Sequence, residues 1–235
     1  MKNLVLILLI GLIACTKRNE SKLQASYNYL PVEESHWVDY LVDSIYIDEE
    51  AGVRDSDQYY IREQIGETFL DNESRSTQKL NRYKRRNLTD DWELIDVWHL
   101  NKLSQSVEKV EENLRFIKMI FPLTFNETWK GNNYVVKEND SEFYKDREYR
   151  YLDIHEPLTI DSIDFDSTVV VDQQNLLTDH FWYYGREIYA YNIGMIKKEL
   201  YNLTSETALR SDLAWRMNAQ RGFMITYTIV DYKGR

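Results

Sequence analysis

Period-two alternation of apolar and polar residues is the pattern that most restricts what this chain can fold into. Tyr59 to Leu70 sets Tyr59, Ile61, Ile65 and Phe69 on one side and Arg62, Gln64 and Thr68 on the other. Phe223, Ile225, Tyr227 and Ile229 share a face in the last such run. Comparable runs are Tyr40–Ile47, Trp92–Leu100, Tyr149–Ile154, Thr168–Val171 and Glu187–Leu200, and Thr77–Arg86 reads as a polar, exposed strand. Asp71-Asn-Glu-Ser74 supplies turn chemistry between two of them. The 18 tyrosines, 6 tryptophans and 8 phenylalanines suit pleated, half-buried surfaces. Strands that follow one another this closely predict an antiparallel meander. The expected fold is mainly β: a single curled antiparallel sheet, half-barrel or barrel-like, with one or two helices packed on it. Between Ser104 and Phe121 the reading is a short helical or irregular start, then a strand from Asn113 that Pro122 ends. The helix expected from the pattern spans Ser205 to Ala219, capped by Thr204 or Ser205, with Leu209, Leu213 and Met217 as its apolar stripe.

The first fifteen residues stand apart. Lys2 gives a positive start, Leu4 to Ile13 an apolar core broken only by Gly11, and Ala14 a small residue before Cys15. The apolar run is about half of the roughly 20 residues a spanning helix needs, so it reads as an export signal. Leu12-Ile13-Ala14-Cys15 resembles the lipobox of bacterial lipoproteins. That resemblance implies cleavage before Cys15 and acylation of its sulfur and new amine. Cys15 is the only cysteine, so no intramolecular disulfide forms, and lipidation consumes the one thiol. The expected organisation is a signal peptide at 1–14, the lipidated cysteine and a polar tether at 15–35, and one β-rich domain at 36–235. Flavobacterial and Bacteroides-type lipoproteins bound for the cell surface usually carry acidic residues directly after the cysteine. Thr16-Lys-Arg-Asn-Glu20 lacks that run, which points to an outer-membrane anchor facing the periplasm.

Charge and motifs exclude several classes. A net charge of −10 disfavours nucleic acid as a partner. No Gly-x-Ser-x-Gly elbow marks a serine hydrolase. His36, His99, His155 and His180 fall into no metal-binding spacing, and Asp161, Asp164 and Asp166 lack the glycine and closing glutamate of a calcium loop. The chain therefore reads as a non-enzyme with no cofactor and no metal. Arg82, Lys84, Arg85 and Arg86 form the one basic cluster, read as a solvated strand face.

Glu187-Ile-Tyr-Ala-Tyr-Asn-Ile-Gly-Met-Ile-Lys-Lys-Glu199 resembles a strand–turn–strand of Bacteroidota-type outer-membrane lipoproteins, and more distantly that of curled-sheet exported proteins related to the Lol lipoprotein carriers. Asn192 replaces a glycine of that pattern and, like glycine, tolerates positive φ. Asn113 to Leu123 and Trp129-Lys-Gly-Asn132 have the same character. The resemblance carries no catalytic residues. The expected function is a cell-envelope lipoprotein that holds an apolar or amphipathic ligand, or an envelope protein partner, on its concave face. The alternatives are a structural or assembly lipoprotein with a filled core, and a glycan-binding module. Trp98 and Trp182, each with polar neighbours, are the candidate ligand-binding residues. Cys15→Ala should abolish metabolic labelling by a fatty-acid probe; undiminished label on the variant would reject the lipoprotein assignment.

Overall fold

The computed structural model describes residues 27–135 and 147–234. The signal segment, Cys15 and the first part of the expected tether lie outside the described residues. Twelve strands form one sheet in the order β6-β5-β4-β3-β2-β1-β12-β11-β10-β9-β8-β7. They are β1 (Trp37–Asp48), β2 (Val53–Leu70), β3 (Ser76–Arg85), β4 (Glu93–Lys102), β5 (Ser106–Glu111), β6 (Leu114–Ile120), β7 (Thr128–Lys130), β8 (Glu148–Ile160), β9 (Ile163–Leu177), β10 (Phe181–Ala190), β11 (Gly194–Thr204) and β12 (Arg221–Tyr232). Every ladder is antiparallel, and β12 returns beside β1 to join the two halves of the meander. The barrel-like fold read from the alternation is the one observed.

The sheet curls until its edge strands meet. Ile117 N–H on β6 donates to the Gly131 carbonyl just past β7 at 2.7 Å. Trp129 Nε1 donates to the Ile117 carbonyl at 2.8 Å. Tyr151 Oη donates to the Ile120 carbonyl and accepts from the Ile120 N–H. These bonds satisfy an edge that would otherwise offer unpaired backbone groups. Val38, Tyr40 and Val42 of β1 point inward at 4, 1 and 0 % exposure, and Ile61, Ile65, Leu80, Tyr189 and Ile229 join them in the core.

Three elements differ from the sequence reading. Residues 106–120 form a hairpin in place of a helical start and one strand. Glu112 and Asn113 both adopt positive φ, 49° and 64°, as a two-residue hairpin turn requires. The start is not helical, because Val107, Lys109 and Glu111 share the inner face of β5. The helix is also shorter than expected: α1 spans Asp212–Asn218, with Ser211 as N-cap. Ser205 instead bonds Thr207 and the Gln220 side chain, and Leu209 N–H bonds the Asp179 carbonyl, so this backbone is committed to a turn. Trp215 is the buried anchor of α1, while Leu213 and Met217 are 70 % and 64 % exposed. Finally, β3 is not an exposed strand: Thr77, Leu80 and Arg82 are buried. Its basic cluster splits across the wall, with Arg82 and Lys84 inside and Arg85 stacked on Trp92 outside.

One end of the barrel is covered. Tyr27–Tyr29 form a 3-10 turn within the stretch read as tether, and Tyr29 is fully buried. Its hydroxyl meets Ser167 Oγ at 2.5 Å and His155 Nδ1 at 2.6 Å. The Asn28 carbonyl accepts from Asn192 N–H, and the His36 ring bonds the Ile193 carbonyl. Asn192 and Gly194 carry φ of 62° and 104°, the left-handed turn expected there. At the seam, a Cβ on Gly131 would lie 2.4 Å from the ring of Tyr149, itself 1 % exposed. Gly131→Ala should therefore cost about 1–3 kcal/mol by overpacking. A urea midpoint equal to wild type would show that the seam can relax at no cost.

Candidate functional site

The barrel interior is crossed by charge. Lys118 Nζ lies 2.9 Å from Glu187 Oε1 and 2.8 Å from Glu111 Oε1. Lys198 Nζ sits 3.5 Å from Glu111 and 3.6 Å from Glu187. Lys109 bridges Glu63 and Glu111 at 3.2 and 3.6 Å. Arg82 reaches Glu63 at 3.4 Å and donates to Tyr227 Oη at 3.1 Å. Tyr189 Oη donates to Glu187 Oε2 at 2.6 Å. Trp98 lies against this belt, its ring 3.7 Å from the Arg82 guanidinium carbon and 4.8 Å from Lys109 Nζ.

Local geometry explains how β6 places Lys118 there. In the β5–β6 ladder Val107 pairs with Met119 and Glu108 with Ile117, so Lys118 is the extra residue of a β-bulge. Alternation already sends Lys118 inward with Leu114 and Phe116, and the bulge lets the next residue, Met119, face the core as well. Burial at Glu111 pushes its pKa up, but the ammonium groups of Lys118, Lys198 and Lys109 outweigh it and hold the carboxyl well below the usual range. Glu187 is likewise lowered: burial raises it, and Lys118 and Lys198 overcome that. For Lys118, burial acts downward and loses to Glu111 and Glu187, so the ammonium is held above its ordinary value. Burial, reinforced by Glu187, pushes Tyr189 well above the usual phenol range.

The belt divides the interior into two cavities, both lined by Lys118. Under Leu30, Pro31 and His36 lies one of about 50 Å³, walled by Val38, Ile65, Leu80, Leu100 and Met195. Toward the opposite end lies one of about 100 Å³, lined by Trp98, Leu114, Phe116, Tyr149, Leu200, Gln173, Lys198, Arg147, Glu111 and Glu112. At that end the wall is lower. β4 pairs with β5 only from His99 onward, and β9 pairs with β8 only up to Asp172. Glu93–Trp98 and residues 173–177 therefore have strand partners on one side only, among the described residues. Beyond the larger cavity the inner face continues as a cross-strand row, Leu176, Tyr183, Asn202, Phe223 and Tyr46. Tyr46 is 54 % and Leu176 44 % exposed.

The two tryptophans singled out from sequence do not meet. Trp98 lines the larger cavity. Trp182 lies on the outer face, 4 % exposed, packed with Tyr201, Leu203 and Trp215 beneath α1. Its parity in β10 sets it opposite Glu187 and Tyr189, so neither cavity includes it. The histidines are dispersed too: His36 and His155 hold the capping turn, His180 Nδ1 bonds the Ser205 carbonyl, and His99 stacks edge-on to Phe69. Among the described residues no group of three His, Cys, Asp or Glu is placed to hold a metal ion.

Sequence reasoning missed Lys118, Gln173, Glu187 and Lys198. The available signal was that Glu187 and Tyr189 share one parity and Lys118 sits within an otherwise apolar run. No protein-family model matches the chain, and no curated protein does. Among solved structures, the crystal structure of a LolA superfamily protein from Nitrosomonas europaea is similar over 92 % of this chain and 93 % of that one, at 14 % identity and a TM-score of 0.21.

Because Glu111 and Glu187 have lowered folded pKa values, their stabilisation is complete above the unfolded value of 4.5 and is lost as pH falls through the folded values. Lys118 acts oppositely, contributing below its unfolded value of 10.5 and failing only at higher pH. Lys118→Met should cost about 3–5 kcal/mol at pH 7, since it strands buried carboxylates. A stranded carboxyl has a raised pKa, so the variant should gain stability from pH 7 to about 5, where wild type is flat. Parallel urea midpoints for the two proteins over that range would disprove the role of Lys118.

Proposed function

We propose that this chain is a non-enzymatic, lipid-anchored cell-envelope protein that holds an amphipathic ligand in the lower-walled half of its barrel. The observation that carries this reading is the larger cavity, where Leu114, Phe116 and Leu200 form an apolar wall facing polar and charged side chains. An apolar wall beside placed polar groups is the make-up of a site for an amphipathic molecule. At about 100 Å³ the cavity takes a ligand's end rather than its whole length, since drug-sized sites run to roughly 300–1,000 Å³. The remainder of the ligand lies along Tyr183, Phe223 and Tyr46, and the buried belt sets the depth of entry. The export signal and the Cys15 motif support a membrane surface as the location of this activity, with the barrel on the periplasmic side of the outer membrane.

The covered end favours the structural reading for that half alone: Tyr29, Tyr40 and Ile65 fill it, and the space left is about 50 Å³. Titration of the full-length protein with the amphipathic dye anilinonaphthalene sulfonate separates the readings. A saturable one-to-one site is expected, weakened about ten-fold by Leu200→Glu, which sets a charge in the apolar wall. Urea denaturation checks that the variant is folded. Absence of saturable binding, or binding indifferent to Leu200→Glu, would leave the structural assignment.

A further inference from the structure

The polar groups of the larger cavity are donors more than acceptors. Gln173 is 2 % exposed, yet its Nε2 has no hydrogen-bond partner. Trp98 Nε1 is buried and also has none. Both side chains line the cavity. A buried donor left unpaired costs about 1–3 kcal/mol, so two in one cavity call for a common acceptor. An indole N–H can only donate, which fixes the sign of what it meets.

Alternation brings Gln173 inward on the same side of β9 as Val169 and Val171. In the β9–β10 ladder Asp172 pairs with Arg186 and Gln174 with Gly185, so Gln173 is the extra residue of a bulge, as Lys118 is on β6. Gly185 makes the room, since a Cβ there would lie 3.3 Å from Gln173 Cβ. Two separate bulges thus fall at the polar residues that line this cavity, a placement common beside binding sites.

The charges agree. Lys118, Lys198 and Arg147 line the cavity, with Glu111 as the buried carboxylate and Glu112 at the exposed rim. Lys118 is engaged by Glu111 and Glu187 at 2.8 and 2.9 Å. Lys198 is held loosely, 3.5 and 3.6 Å from the same two carboxylates, and an ammonium has three hydrogens to give. Leu114, Phe116 and Leu200 supply apolar wall beside these donors.

We propose that this cavity takes the carboxylate of an amphipathic monocarboxylate, received by Gln173 Nε2–H, Trp98 Nε1–H and the Lys198 ammonium, with the alkyl chain leaving past Leu200 toward Tyr183 and Phe223. This rests on the reading of the lower-walled half as a ligand site and adds the chemistry of the ligand's head.

The test uses full-length protein labelled with [15N]tryptophan, its Trp98 indole resonance assigned by Trp98→Phe. It is titrated with decanoate, decanol and decyltrimethylammonium. Decanoate should bind about ten-fold more tightly than decanol and move the Trp98 indole resonance downfield, as a charge-assisted hydrogen bond requires. Gln173→Leu should remove most of the carboxylate preference and leave decanol affinity within about two-fold, because it deletes a donor and keeps the volume. Equal binding of decanol and decanoate, or preference for the ammonium, would overturn the carboxylate inference while leaving the cavity as an amphiphile site. Failure of all three to bind would overturn both. Carboxylate preference unchanged in Gln173→Leu would overturn the assignment of the bulge residue.

Discussion

Seven charged side chains placed inside a barrel impose the constraint on which the rest depends. Glu63, Arg82, Lys109, Glu111, Lys118, Glu187 and Lys198 come from β2, β3, β5, β6, β10 and β11, and the network closes only across the barrel. Each costs several kcal/mol to desolvate and recovers that only when its partners arrive with good geometry. The sheet must therefore curl until β6 faces β10 and β11, since Lys118 and Glu187 are 69 residues apart in the chain. A one-residue slip would turn the charges outward on one strand and strand their partners on another. The belt thus acts on register and closure at least as much as on net stability.

The two ends of the barrel follow from the belt. Above it, apolar side chains fill the space up to the turn at Tyr27–Tyr29, whose ties to Ser167, His155 and Asn192 hold the cover in place. Below it, among the described residues, β5 and β8 stop short while β4 and β9 continue, and the inner face runs on as a row in which Tyr46 and Leu176 are exposed. A septum of fixed charge between a filled half and an open half gives the open half a polar floor and a defined depth. That asymmetry is what the proposed capture of one end of an amphiphile rests on, and it argues against a passage through the barrel.

The outer wall has its own packing. Arg62 stacks between Trp37 and Trp92 at 4.2 and 4.8 Å, and Arg85 continues on Trp92 at 4.2 Å. On the far side Trp182, Tyr201 and Trp215 bury under α1. Much of the aromatic content therefore lies outside the barrel. Composition alone did not reveal this, because an aromatic on a strand has the same period whichever face it occupies. Trp98 and Trp182 looked equivalent as strand aromatics with polar neighbours, yet their opposite faces give them unrelated roles.

By itself the sequence determined the mainly-β character, the antiparallel meander and most of its strands, but not the hairpin at 106–120. Alternation and turn residues act over a few residues, and they act alike in any surroundings. The left-handed positions at Asn192 and Gly194 were legible for the same reason. Only the tertiary structure decided which side of each strand is inside, where the bulges fall, and how far the sheet closes. Lys118 and Gln173 share parity with Phe116 and Val171, but each sits at a bulge that appears only when two strands of unequal count are paired. The helix at 205–219 shortened to Asp212–Asn218 because Ser205 and Leu209 found partners distant in sequence. A charged residue in a strand reads as solvent-facing until an opposite charge from across the barrel offsets its desolvation, and that partner is invisible to local pattern.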